Sequence, residues 1–233
     1  GPGGEQSSPA IFGERVIFGA FDHHVYALHT DTGELLWRAA TGGGILSSPA
    51  VAGDKVFIGS IDGKLYAFDL ATGAELWTFD TGEPIFSSPA VADGTVFCTS
   101  YDHHLHALQS ADGSPLWHYA TGGDIFSSPA IDDSSVYFGS DDGYLHAVDS
   151  TSGEGRWRRD LGGRVLASPA LLPDGLYVGS SDGFLYALAR SDGKILWRFE
   201  VGEPVWSSVT VTPEGLFVGA HDGSVYAIAE GSP

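Results

Sequence analysis

Two histidine pairs stand at matched places in the chain, Asp22-His23-His24 and Asp102-His103-His104. Neutral imidazole is a ligand for Zn2+ or Cu2+, so paired histidines beside a carboxylate are the first residues to weigh as a metal site. A second set is apolar: Leu46, Phe86, Phe126, Leu166 and Trp206, each closing a glycine-containing connection such as Gly82-Glu83-Pro84-Ile85-Phe86. Side chains of this kind can pack or stack on a ligand, and Trp206 is the largest of them. Arg164 is the one cation in those five connections. Nucleophilic chemistry has less support. The serines make no Gly-x-Ser-x-Gly elbow, so no Ser-His-Asp set can be assigned. Asp132-Asp133 and Asp141-Asp142-Gly143 lack the spacing of a Ca2+ loop and read as turns.

The spacing of these residues is itself the strongest signal. Ser7-Ser8-Pro9-Ala10 returns at 47, 87 and 127, with weaker copies at Ala167-Ser168-Pro169-Ala170 and Ser207-Ser208-Val209-Thr210. The period is 40 residues without insertions. Trp37, Trp77, Trp117, Trp157 and Trp197 keep it, and so do six alanines from Ala27 to Ala227. Within a repeat the apolar period is 2, as in strands. Val56-Phe57-Ile58 and Leu65-Tyr66-Ala67-Phe68 flank Ile61-Asp62-Gly63-Lys64, a hairpin signal. Four short strands per 40 residues predict a propeller blade. The expected fold is all-β: six four-stranded blades, the last lacking its outer strand.

Proline cannot donate to a ladder, which predicts that the Ser-Ser-Pro-Ala segment is the innermost strand, with its serines toward a central channel. The Trp strand is then outermost. Repeats start near 7, 47, 87, 127, 167 and 207, giving one domain over 7–230, linker residues 1–6 and a tail at 231–233. Leu46, Phe86, Phe126, Leu166 and Trp206 would line the channel mouth, with Gln6 in the sixth place. An unpaired outer edge on the last blade could be capped by another chain; the expected state is a monomer, with dimerisation through that edge as the alternative.

The histidine pairs belong to repeats one and three, two blades apart, and are read as solvent-facing turn residues, so no metal is assigned. His23 and His103 take the place of a turn glycine, and His tolerates a left-handed backbone better than most residues. They stay on the ligand-binding candidate set. The Asp before them recurs in all six hairpins and is expected to bond the turn backbone. His106 and His146 replace tyrosines of the other repeats and are expected to be packed and hydrogen-bonded. Cys98 fills a column of Phe, Ile and Val, as a small buried hydrophobe.

Composition excludes several partners. The 233 residues carry 30 Asp and Glu against 11 Lys and Arg, a net charge of -19, which argues against a phosphate backbone and against an anionic membrane surface. No apolar run approaches the ~18 residues of a membrane span. There is no signal-peptide pattern, and the Gly1-Pro2 start looks like a protease-cleaved end. A single cysteine excludes an intramolecular disulfide.

The unit Leu65-Tyr66-Ala67-Phe68-Asp69-Leu70-Ala71-Thr72-Gly73-Ala74-Glu75-Leu76-Trp77 resembles the quinoprotein-type, PQQ-like propeller repeat. The resemblance implies that Trp37, Trp77, Trp117, Trp157 and Trp197 dock between blades. It also implies one of several functions, because one fold hosts many. Some members are dehydrogenases holding pyrroloquinoline quinone and Ca2+. Others are outer-membrane assembly lipoproteins or extracytoplasmic sensor regions of bacterial Ser/Thr kinases. The short loops and absence of a distinctive catalytic Asp fit the non-catalytic members. The expectation is therefore an extracytoplasmic (periplasmic or cell-surface) sensor or scaffold module that is not an enzyme. It would need no cofactor and would take a small molecule, glycan, peptide or protein partner. A PQQ-dependent oxidoreductase and an engineered or structural repeat scaffold are the alternatives.

Overall fold

The computed structural model describes residues 7–212 and 215–228. The expected linker 1–6, with Gln6, and the boundary at 230 with its tail lie outside the described residues. The described residues are all-β, with no helix. Each 40-residue repeat folds into its own antiparallel sheet, with its strands in sequence order. In blade two the strands are Ala50–Ala52, Lys55–Gly59, Lys64–Asp69 and Glu75–Asp80. Among the described residues, blades one to five have four strands and blade six has three, Thr210–Thr212, Gly215–Gly219 and Val225–Ile228. This is the β-propeller architecture that the period predicts.

Packing divides the chain into two compact units, the first ending at His118 and the second beginning at Tyr119. In the first unit the core lies between consecutive blades. Ile17, Val25 and Trp37 of blade one pack with Val56, Ile58 and Phe68 of blade two. Phe57, Leu65 and Ala67 of blade two pack with Val96, Cys98 and Leu108 of blade three. In the second unit Tyr137 and Leu145 of blade four meet Val178, Tyr186 and Leu188 of blade five, and blade five meets Val209, Leu216 and Val218 of blade six. Each Val, Leu, Ile or Phe side chain among them contributes about 1.5–3 kcal/mol when removed from water. The strands present apolar residues on both faces where a blade is covered twice, as blade two is in the first unit and blade five in the second. Cys98 is fully buried, and burial pushes its thiol well above the ordinary range, so it packs and does not react.

The Ser-Ser-Pro segment departs from the expectation. The first strand begins at the alanine, so Pro49 and Pro89 precede the ladder. Their missing N–H then costs nothing. The first serine is buried and points into its own blade, not toward a central channel: Ser47 Oγ accepts the Gly59 N–H at 3.1 Å, and Ser7 and Ser127 do the same for Gly19 and Gly139 at 2.9 and 3.1 Å. The second serine ties blades together. Ser48 Oγ accepts the Ser8 N–H, and Ser88 Oγ accepts the Ser48 N–H, each at 2.9 Å. Ser168 Oγ accepts from Ser128 at 2.9 Å in the second unit. These links span 40 residues each, so the recurrence of serine is an inter-blade ladder.

Three of the five tryptophans reach the next blade. Trp37, Trp77 and Trp157 donate Nε1–H to the carbonyls of Leu70, Ser110 and Arg190 at 3.0, 3.2 and 2.9 Å. Each acceptor stands 33 residues on, in the next blade. Gly73 is required there: its φ is +72°, and a Cβ would meet the Trp37 ring at 2.6 Å. Trp117 keeps a buried Nε1–H with no hydrogen-bond partner among the described residues. Trp197 is 38% exposed, and the position 33 residues beyond it lies outside the described residues.

Candidate binding face

The connections between blades and the hairpins of the following blades lie against each other. In the first unit the Ile61 N–H donates to the Gly44 carbonyl at 3.0 Å and the Tyr101 N–H to Pro84 at 3.1 Å. In the second unit Asp141 donates to Asp124 at 2.9 Å, Ser181 to Arg164 at 2.9 Å and His221 to Pro204 at 3.1 Å. The same 17-residue step recurs each time. The two loop sets singled out from the sequence thus share one face of each blade.

On that face the strand-like alternation separates neighbours in sequence. Ile45, Ile85, Ile125, Val165 and Val205 are completely buried. The next residues, Leu46, Phe86, Phe126, Leu166 and Trp206, turn outward and are half-buried or exposed. Phe126 is 42% and Trp206 45% exposed. Phe86 meets Tyr101 edge-on, centroids 4.7 Å apart. Trp206 packs edge-on against His221 at 4.4 Å, and its Nε1–H donates to Ser181 Oγ at 3.0 Å. That bond holds the indole in one orientation, which lowers the entropic cost of using it as a contact.

The hairpin aspartates do more than cap turns. Oδ1 of Asp22, Asp62, Asp102, Asp142, Asp182 and Asp222 accepts the backbone N–H two residues on, at 2.7–3.1 Å. Oδ2 accepts a ring donor four residues on: Tyr26 at 2.6 Å, Tyr66 at 2.5 Å, His106 at 2.7 Å, His146 at 3.2 Å, Tyr186 at 2.5 Å and Tyr226 at 3.1 Å. Each Asp clamps a turn to the strand that leaves it. Burial raises the Asp142 carboxyl, but His146 and the Gly122 N–H outweigh it and hold the group at about 2. Burial and the bond to Asp62 push Tyr66 up to about 12. His23 and His103 are exposed and sit at φ 69° and 70°, beside 85° and 88° for Gly63 and Gly143. Their turn role is visible in the backbone. His106 and His146 are packed and bonded as expected.

Sequence reasoning passed over His118. It lies on the fourth strand of blade three, Pro115–Ala120, and its ring is 5.2 Å from that of His104. The available signal was that repeat three alone has histidine at all three of 104, 106 and 118.

The fold family raises pyrroloquinoline quinone, and these residues do not fit it. The cofactor is a tricarboxylate and needs clustered cations. The connections offer Arg164 alone, and its guanidinium is ion-paired to Asp141. Arg164 therefore reads as a partner of a neighbouring carboxylate, in a chain of net charge -19.

Comparison with known proteins agrees with this geometry. The family profile described as outer membrane protein assembly factor BamB matches residues 21–164 and 141–232. Among solved structures, the chain is similar to the computationally designed Ika8 protein, with a TM-score of 0.84 and 18% identity, covering 95% of this chain and 70% of that one. It is also similar to BamB from Moraxella catarrhalis, with a TM-score of 0.65 and 22% identity over 98% of this chain and 84% of that one. Both share the fold. A search of curated proteins returned no match. With the profile covering nearly all of its repeats, the chain belongs to the BamB-like family of PQQ-type propellers.

Proposed function

We propose that the protein is a non-catalytic binding propeller that takes an extended peptide or protein segment on the connection face, as an extracytoplasmic sensor or scaffold module. One observation carries the reading. In the second unit Ile125, Val165 and Val205 fill the core and are fully buried, while the apolar residues after them stay half-buried at Leu166 and exposed at Phe126 and Trp206. Single exposed apolar residues are ordinary, but a series at one structural position offers repeated anchors. Family membership supports a protein-binding role, since the matching family is described as an assembly factor. The single cation of the five connections, Arg164, is engaged by Asp141.

Selection from a displayed peptide library, followed by calorimetry on the selected peptides, tests this. Phe126→Ala and Trp206→Ala are each expected to weaken binding about tenfold with little change in Tm. Binding untouched by both substitutions would overturn the reading, as would failure to select any peptide. A saturable shift in Tm and absorbance with pyrroloquinoline quinone and Ca2+ would overturn it in favour of an oxidoreductase.

A further inference from the structure

We propose that Asp102, His104, His106 and His118 on blade three form a binding site for one divalent transition-metal ion, with zinc the best match. Ligand atoms from Asp102, His104 and His106 lie within 4.8 Å of one another. The His118 ring stands 5.2 Å from His104 and 6.4 Å from His106, centroid to centroid. Three imidazoles and one carboxylate are a donor set suited to Zn2+, Cu2+ or Ni2+, and unsuited to Ca2+, which takes six to eight oxygens.

The local geometry prepares the donors. His104 Nδ1 lies 2.7 Å from the Asp102 carbonyl. With the proton on Nδ1, Nε2 carries the free lone pair, the arrangement that orients metal-binding histidines elsewhere. His106 Nε2 stands 2.7 Å from Asp102 Oδ2. An ion takes the place of the proton between them, and the two atoms part to about 3.3 Å, the spacing of adjacent ligands at a tetrahedral Zn2+. Asp102 Oδ1 keeps its bond to the His104 N–H, so the turn stays clamped. Phe79 covers one side of His106 at 5.2 Å, while His104 keeps 32% of its side chain exposed and His118 lies at the surface, leaving a route for the ion.

Structural need accounts for only one of these pairs. The Asp102–His106 bond is the blade-three form of a clamp found in all six hairpins. It does not call for histidine at 104 or 118. Blade four is the internal control. It has the same clamp, His146 to Asp142, but carries Tyr144 and Arg158 where blade three has His104 and His118, and the Arg158 guanidinium lies 4.8 Å over the Tyr144 ring. A fixed cation there repels an ion. Blade one likewise has Arg38 opposite Tyr26.

Calorimetric titration of the whole chain with ZnCl2, after treatment with a chelator, is the test. One ion per chain with a Kd at or below the micromolar range is expected, with a rise in Tm. His118→Arg and His104→Lys install residues that other blades carry, and each is expected to weaken binding at least tenfold while leaving Tm in chelator unchanged. His24→Lys in blade one is expected to leave the titration unaltered. With Cu2+, electron paramagnetic resonance should show coupling to imidazole nitrogens that diminishes in His118→Arg. Absence of saturable Zn2+ binding would overturn the proposal, and so would a Kd unchanged in both blade-three variants.

Discussion

Blades two and three share one backbone and differ in what hangs from it. Both turn at a residue of positive φ, Gly63 and His103, and both clamp the turn with Asp62 or Asp102. In blade two the clamp closes on Tyr66, next to Lys64 and across from Thr78. In blade three it closes on His106, beside His104 and His118. The repeat thus fixes a geometric task and leaves the outward chemistry free. A tyrosine hydroxyl in one blade and an imidazole nitrogen in the other meet the equivalent carboxylate oxygen. Only the second makes a cluster with donor atoms to spare.

Three measurements sharpen that contrast, taken from the largest effect downward. The end of the second strand is Gly59 in blade two and Thr99 in blade three. A Cβ at Gly59 would stand 2.2 Å from Ile85 Cγ2. Gly59→Ala is therefore expected to destabilise the protein by about 2 kcal/mol, read by denaturant unfolding. Equal stability to the parent would mean that the blades can part there.

The docking tryptophans give a smaller and opposed pair. Trp77→Phe removes a hydrogen bond and strands the Ser110 carbonyl, for a loss of about 1 kcal/mol beyond the change in packing. Trp117→Phe removes a buried donor that has no partner, so its cost is smaller than that of Trp77→Phe. The difference between the two variants is the quantity to measure.

The clamps should separate by pH, with the smallest effects. Tyr66 is raised from 10.0 to about 12 in the fold. Its contribution is complete below pH 10 and fades as pH rises toward 12. Asp102 is lowered from 3.8, because His106 and the His104 N–H outweigh its burial. Its contribution is complete above that value and fades as pH falls below it. Thermal melts across both ranges should show Tyr66→Phe flattening the alkaline limb alone and Asp102→Asn flattening the acid limb alone. If either variant changed both limbs, the clamps would not be independent.

Much of the fold was legible because the repeat states it six times. Four strands per 40 residues and the hairpin aspartates could be read from recurrence, while docking of the tryptophans came from the family resemblance. The serines were read correctly as recurring and wrongly as facing a central channel. Recurrence says that a position has one environment; it does not say which. Ser47 looks polar and free in the sequence, yet its hydroxyl is needed inside the blade by the Gly59 N–H. The candidate binding residues show the same limit. Nothing local distinguishes Ile85 from Phe86, and only packing between blades makes the first the buried one.

By itself, then, the sequence determined the period, the strands, the turns and the residue types at each column. Local propensity and covalent spacing suffice for those. The tertiary structure decided which columns meet. Counting back evenly from the turn between the third and fourth strands would place His106 across from Trp117. In blades one, two, four and five a bulge after the alanine shifts that register by one residue, so that Tyr26 faces Arg38 and His146 faces Arg158. His118 holds the equivalent place in blade three, with its ring beside His104 and His106. A one-residue slip moves every side chain to the opposite face of a strand. The grouping of the three histidines therefore belongs to the fold.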